Sequence, residues 1–446
     1  MAISKEGGSA QHEILHISRI TKIQGCIIFL CFIGMMLDGF DIVIISFTAP
    51  SISRDWSVSP EQLGLVFSSG LVGMTAGAMF LSSVADLYGR RTLVSLSLIA
   101  TGIATSAVYY SSSVSELIAL RFVAGLGMGA LMAVLPAMGG EYSPQTQRNF
   151  ILSIMVSGTS VGSVIGGVVS AWAIPEFGWR PLYFYTGIVI VATGILFFLV
   201  VPESLQHIAS RGRENALERI NGILKYIGQQ PIAALPQGSG GNATESASVK
   251  SLLTPARRRM TFFAWCAFGM GFAGMYFMTN WMPKIFVDSG IPEEQSIHAV
   301  VILTFGSILG ATTVGWLSKR WSLNYLIGIA FVVGTILTLV LSLIIRNSDG
   351  SLVTTIWVVS FLIGITIHGA FANLYTIALT IYPPQIRITG IGWCYGLGRA
   401  GAIISPALAG VMIGMGMDSA NVLAWFAITI AAAAFFTWRI KVKELA

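Results

Sequence analysis

Twelve stretches of about 20 mostly apolar residues run through this chain, and no other feature narrows its fold so far. A helix crossing the ~30 Å hydrocarbon core of a bilayer needs about 20 such residues. The stretches lie near 24–48, 62–84, 92–111, 116–140, 150–173, 182–201, 261–283, 298–317, 324–345, 353–381, 388–413 and 420–438. Charged residues make up only 10% of the chain, against roughly 25% in soluble domains. That is too few to cover a water-facing surface. The 49 glycines suit a membrane bundle, where small residues let helices approach closely. Cys26, Cys31, Cys266 and Cys394 lie in apolar runs without paired spacing, so they read as packing residues and not as disulfides or metal ligands. The first 20 residues are polar, and a cleavable leader is not expected there.

The expectation is an all-α membrane protein with twelve transmembrane helices in two six-helix bundles. A polar segment, 204–259, divides the chain and contains Gln237-Gly238-Ser239-Gly240-Gly241. It reads as a flexible linker with one short amphipathic helix near 213–226. The layout is then a tail (1–23), an N-terminal bundle (24–203), the linker, a C-terminal bundle (260–439) and a tail (440–446). With the start of the chain on the cytoplasmic side, 20 of the 26 Lys and Arg fall on that side. Arg54, Arg180, Lys284 and Arg346 fall on the other, and Arg121 and Arg399 lie inside spans. That bias places both termini in the cytoplasm. The net charge of +6 is thus a topology signal, and a nucleic-acid partner is not expected. Asn242-Ala-Thr244 is formally a glycosylation triplet, but it lies in the predicted cytoplasmic linker.

The halves echo each other. Glu141-Tyr-Ser-Pro-Gln-Thr-Gln-Arg148 follows span 4 and Tyr382-Pro-Pro-Gln-Ile-Arg387 follows span 10. Arg148 and Arg387 are 239 residues apart, as are Gly125 and Gly364. Two six-span repeats suit an alternating-access transporter.

Charge inside a bilayer costs roughly 2.5–3.5 kcal/mol per residue on insertion scales, so it usually faces a cavity and serves a function. Here such residues are Asp38, Asp41, Arg121 and Arg399, with His368 as the intramembrane histidine. Asp38 and Asp41 stand at i, i+3 on one face of span 1. Taking up a proton would remove the cost of their burial, which suits proton coupling. Alternatively, they cap a break near Gly39 or pair with a basic residue. Arg399 lies about 16 Å into span 11, near mid-membrane, and a guanidinium grips carboxylates bidentately. It is the candidate for a substrate carboxylate, or else a structural partner of Asp38 or Asp41. Arg121 either joins the substrate or pairs near the interface. His368 reads as a proton relay, a cavity hydrogen-bond donor or a packing residue. Asn373, Tyr375 and Trp393 are candidates to line the same cavity.

Span 2 ends in Ser82-Ser-Val-Ala-Asp86-Leu-Tyr-Gly89-Arg90-Arg91. Gly89 permits a tight turn, and Asp86 can cap the next helix and pair with an arginine. With Glu141, Arg148 and Arg387, these residues form a candidate gating network. There is no phosphate-binding Gly-rich loop, so ATP is not expected to drive the protein. No enzyme or metal constellation is present, and no cofactor is expected beyond the proton as coupling ion.

The chain resembles the major facilitator superfamily over nearly its whole length. The carriers of the resemblance are Asp86-Leu-Tyr-Gly89-Arg90-Arg91, Arg121-Phe-Val-Ala-Gly125-Leu-Gly127-Met-Gly129, and Pro202-Glu203-Ser204. Asp38-Gly39-Phe40-Asp41 with Pro50 resembles the aromatic acid:proton symporter family. So does Tyr382-Pro383…Arg387-x-Thr389-Gly390-x-Gly392-Trp393…Gly398-Arg399-x-Gly401…Pro406. The resemblance implies uptake of a benzoate-like, hydroxybenzoate-like or muconate-like acid with a proton, in the bacterial inner membrane. It also implies proton-coupling roles for Asp38 and Asp41 and importance for Arg387 and Arg399. Two positions depart from the pattern: Ser82 stands where the loop 2–3 signature begins with Gly, and Ser318 where loop 8–9 carries an acid. The expected partners are a small organic acid, a proton and the lipid bilayer, and the chain is expected to act as a monomer. Other readings are a transporter of sugars, other organic anions or drugs, a non-transporting membrane sensor, and a membrane-bound enzyme.

Overall fold

A computed structural model describes residues 20–210, 215–233, 249–255, 257–347, 352–382 and 386–440. It contains twelve helices long and apolar enough to cross a membrane. They are α1 (Lys22–Trp56), α2 (Pro60–Leu81), α3 (Arg90–Tyr110), α4 (Val114–Glu141), α5 (Phe150–Phe177) and α6 (Trp179–Val200), then α7 (Arg258–Asp288), α8 (Glu293–Leu317), α9 (Leu323–Asn347), α10 (Val353–Ile381), α11 (Thr389–Gly414) and α12 (Ser419–Arg439). Apolar side chains such as Phe29, Leu199, Leu343 and Ile428 point outward, as a lipid-facing surface requires.

Local chemistry sets the helix ends. Thr21 and Gln24 form a reciprocal capping box at the start of α1, and Ser59 with Gln62 does so for α2, with Pro60 at its first position. α1 is one continuous helix, with no break at Gly39. Gly39 is small for another reason: a Cβ there would lie 1.9 Å from the Thr159 carbonyl oxygen, so α1 and α5 cross in direct backbone contact. π-helical turns interrupt α2 at Gly77–Leu81 and α10 at Gly364–His368. Such turns recur at functional sites.

Within the first half, α1 packs on α5, α2 on α4 and α3 on α6; within the second, α7 packs on α11 and α12, and α9 on α12. The halves meet through α2 with α11, α5 with α8 and α1 with α7. The linker carries its helix where the sequence places one, but this part is docked and not flexible. Its helix Ala216–Tyr226 buries Ile220 and Leu224, and the Thr21 hydroxyl donates to the Ile227 carbonyl at 2.7 Å. Gln229 reaches Gln24 at 3.0 Å and Tyr226 reaches the Val200 carbonyl at 3.1 Å. The first part of the linker is therefore docked on the N-terminal bundle. Gln237–Gly241, the Asn242 triplet, Pro383 and the tails 1–19 and 441–446 lie outside the described residues.

Candidate functional site

One face of α11 reveals the shape of the centre. Beyond Arg399 it touches α2: Ser68 donates to the Ile403 carbonyl at 2.7 Å, a Cβ on Gly64 would lie 2.7 Å from the Pro406 carbonyl oxygen, and one on Gly410 would lie 2.4 Å from that of Pro60. Before Arg399 the same face carries Gly392 and Gly396, and nothing lies within 4 Å of either Cβ position. The halves therefore seal at one end and part at the other, with Arg399 at the apex of the cleft. The parted end is the one where α1 begins and α12 ends. At the sealed end, Ser46 donates to the Thr279 carbonyl at 2.6 Å. Ser51 donates to Glu293 at 2.7 Å, and Arg54 forms an ion pair with Glu293.

The intramembrane charges divide into one closed pair and two free groups. Arg121 holds Asp41 through Nη1 at 3.0 and 3.1 Å, and its Nη2 reaches the Asp41 carbonyl at 3.0 Å. Thr105 donates to the same carboxylate at 3.1 Å. Asp38 is fully buried, and neither of its carboxylate oxygens has a hydrogen-bond partner. Arg399 makes no ion pair among the described residues; its Nη2 meets the Met132 sulfur, from α4 across the cleft, at 3.2 Å. Asp38 lies within electrostatic reach of Arg399.

His368, at the end of its π turn, places Nε2 3.3 Å from the Thr279 hydroxyl, while its buried Nδ1 has no partner. Thr279 also accepts from Ser46 through its carbonyl, so His368 is tied to α1 through one residue. Asn373 donates to the Gly369 and Ala311 carbonyls at 3.0 and 3.1 Å, joining α10 to α8. Trp393 is part-exposed and lies 6.0 Å from Trp265. The Tyr375 ring lies 6.0 Å from that of Tyr395.

Uncharged residues gather about Arg399: Met132 meets it, Tyr276 and Tyr395 lie within its electrostatic reach, and Phe272 packs against the Gly398 position. Phe272 lies 5.8 Å from Tyr276 and 5.6 Å from Tyr395. A signal for them exists in the sequence. Phe268, Phe272 and Tyr276 recur every fourth residue along α7, and Tyr395 stands one turn before Arg399.

Toward the parted end, Gly89 adopts φ +102°, and a Cβ there would run into the Glu203 carboxylate. Glu203 accepts from the Arg91 amide at 3.1 Å, while the Arg91 side chain reaches the Phe198 carbonyl at 2.9 Å and covers the Phe198 ring. Arg90 forms an ion pair with Glu141, which also accepts from Ser204 at 2.6 Å. Arg148 lies over Gly140, and Arg387 donates to the Tyr382 carbonyl at 3.2 Å. The side chains of Ser82 and Asp86 lie outside the described residues. Ser318 donates to the Gly315 carbonyl of its own helix at 2.7 Å.

Comparison with known proteins agrees with this architecture. The family model described as Major Facilitator Superfamily matches residues 31–370. The 4-hydroxybenzoate transporter PcaK of Pseudomonas aeruginosa is 31% identical over 91% of this chain and 89% of its own length. A gallate transporter of Pseudomonas putida is 29% identical over 89% of this chain and 87% of its own. Among solved structures, a D-xylose-proton symporter superimposes with a TM-score of 0.71 at 16% identity, covering 94% of this chain and 99% of that one. Twelve spans and transporter relatives from bacteria make this a multi-pass protein of the inner membrane. The chain belongs to the Major Facilitator Superfamily, within the branch that holds the aromatic acid transporters.

Proposed function

We propose that this protein imports a small aromatic carboxylate together with a proton by alternating access. The observation that carries the reading is the pair of groups at the apex of the cleft that, among the described residues, are left open: the Asp38 carboxyl without a hydrogen-bond partner and the Arg399 guanidinium without a carboxylate. A buried carboxylate without a hydrogen-bond partner is costly, and taking up a proton lowers the cost. A guanidinium without a carboxylate is a receptor for one. Asp41 stays with Arg121 and fixes the geometry around Asp38, and His368 joins the path through Thr279. With both termini cytoplasmic, as the Lys and Arg bias supports, the parted end opens inward and the Arg54–Glu293 end closes the outside. The lone chain supplies both walls of the cleft, so the monomer is the working unit. The aromatic class rests on what the relatives are named for, 4-hydroxybenzoate and gallate.

The test is uptake of labelled benzoate, 4-hydroxybenzoate and muconate into proteoliposomes, with and without an inward proton gradient. Gradient-driven accumulation that an uncoupler abolishes is expected. Asp38→Asn should lose accumulation and retain exchange of labelled for unlabelled acid. Transport of every acid at the empty-liposome level, by protein that is folded, would refute the reading.

A further inference from the structure

Tyr276 on α7 and Tyr395 on α11 lie within electrostatic reach of the Arg399 guanidinium, and Tyr375 on α10 joins them with its ring 6.0 Å from that of Tyr395. Packed against them, Phe268, Phe272 and Phe371 make a buried floor. The floor is close-packed, with Phe272 and Phe371 ring centres 4.4 Å apart and Phe268 5.4 Å from Tyr395. Above it the rim is open: Tyr375 is 43% exposed, and Tyr276 and Tyr395 are half-buried.

The rim hydroxyls differ from the buried phenols elsewhere in the protein. Tyr142 donates to the Glu203 carbonyl at 3.0 Å, Tyr183 meets the Thr48 hydroxyl at 3.0 Å and Tyr382 meets the Cys394 sulfur at 3.7 Å. The hydroxyls of Tyr276, Tyr375 and Tyr395 make no hydrogen bond among the described residues. Packing alone does not require them, because phenylalanine serves at the neighbouring ring positions. Tyr395 precedes Arg399 by four residues, about 6 Å along the helix axis. That span is comparable to one benzene ring, so a ring whose carboxylate sits on Arg399 reaches the rim at its far edge.

We infer that Tyr276, Tyr375 and Tyr395 are specificity-determining residues that read hydroxyl groups on the ring, and that the preferred substrate is a hydroxylated aromatic acid. The inference rests on the carboxylate-on-Arg399 reading above and adds the part of the substrate that reading leaves open. A hydroxyl buried against these phenols finds donors and acceptors, whereas a bare ring leaves the rim unpaired once the cleft closes.

The test measures KM for benzoate, 4-hydroxybenzoate and 3,4-dihydroxybenzoate in proteoliposomes carrying the wild-type chain, Tyr276→Phe, Tyr375→Phe or Tyr395→Phe. Tyr226→Phe serves as control, since its hydroxyl meets the Val200 carbonyl away from the cleft. Wild-type protein is expected to prefer the hydroxylated acids by about fivefold, the worth of one net hydrogen bond. Tyr395→Phe should bring the benzoate to 4-hydroxybenzoate KM ratio down toward one, and the control should keep the wild-type ratio. Equal KM values in the wild type, or a ratio that survives all three cleft variants, would overturn the inference while leaving carboxylate transport standing. Failure of the wild type to carry any of the three acids would instead overturn the carboxylate reading, and this inference with it.

Discussion

The sealed end of the cleft depends on two glycines, and adding one methyl group there should tip the transporter open. A Cβ on Gly410 would meet the Pro60 carbonyl oxygen at 2.4 Å, its carbon at 3.1 Å and Gly64 Cα at 3.2 Å. All three are backbone atoms, so no side chain can turn aside. Restoring ordinary contact requires α2 and α11 to part by about 1 Å at this point, or the helices to bend. Overpacking of this kind costs about 1–3 kcal/mol. In a state where the halves separate at this end, the methyl group meets nothing and costs nothing. Gly410→Ala should therefore shift the conformational equilibrium about 5- to 150-fold toward that state. Spin labels on Glu176 and Asp418, exposed at the sealed end of the N- and C-terminal halves respectively, would report the distance between the halves by double electron–electron resonance. A longer-distance population should grow in Gly410→Ala and stay at the wild-type level in Gly392→Ala, where the added Cβ has open space. An unchanged distance distribution in a folded Gly410→Ala protein would refute the claim that this crossing is the seal.

Three further outcomes follow from the same geometry. Asp41→Asn and Arg121→Gln each leave a buried group without its partner, and breaking such a pair costs about 3–5 kcal/mol. Both should lower the melting temperature in detergent clearly more than Asp38→Asn, which removes a carboxyl that has no partner. Glu293→Gln takes the charge from the Arg54 ion pair but keeps a hydrogen-bond acceptor for Ser51. With Arg54 64% exposed, the pair is worth about 1 kcal/mol or less, so the shift in the spin-label distances should be smaller than for Gly410→Ala. Glu141→Ala removes the acceptor for both Arg90 and Ser204, and amide hydrogen exchange across Leu205–Ser210 and Ala216–Tyr226 should quicken.

Helix number and position were legible because lipid leaves the chain little choice. An apolar run of about 20 residues satisfies its backbone only as a helix, and the twelve predicted stretches correspond to the twelve observed helices, with ends differing by a few residues and by eight at the end of α1. The docked linker was harder to read. Its helix was legible from the amphipathic pattern, but its docking comes from Thr21, Gln24 and Val200, which are distant in sequence. In the site, the charged residues stood out because charge is rare in a membrane, but which charge takes which partner is a tertiary fact. Arg121 and Asp41 meet because α4 faces α1, and no local pattern encodes that pairing. Tyr276 and Tyr395 stayed hidden for the opposite reason. Aromatic side chains are common in membrane helices, so the stripe on α7 looks like packing until its helix is seen beside Arg399.

For the proposed proton symport, the distribution of charge at the apex supplies a reason for coupling. Asp41 and Arg121 cancel each other, which leaves Asp38 and Arg399 as the variable groups. Empty and deprotonated, the two sum to zero. With a proton on Asp38 and a carboxylate on Arg399, the sum is again zero. Either ligand alone leaves one uncompensated charge in a cleft that must close and lose its water to reorient. A single charge within the membrane costs roughly 2.5–3.5 kcal/mol even on insertion scales, enough to make half-loaded crossings on the order of 100-fold rarer. Removing the acid makes this asymmetry visible. In Asp38→Asn the empty apex carries the charge of Arg399, while the acid-loaded apex is neutral. The loaded protein therefore still crosses in both directions and the empty one does not return, so exchange persists and net uptake stops. If Asp38→Asn accumulates acid as the wild type does, the neutrality of the apex is not what couples the two fluxes.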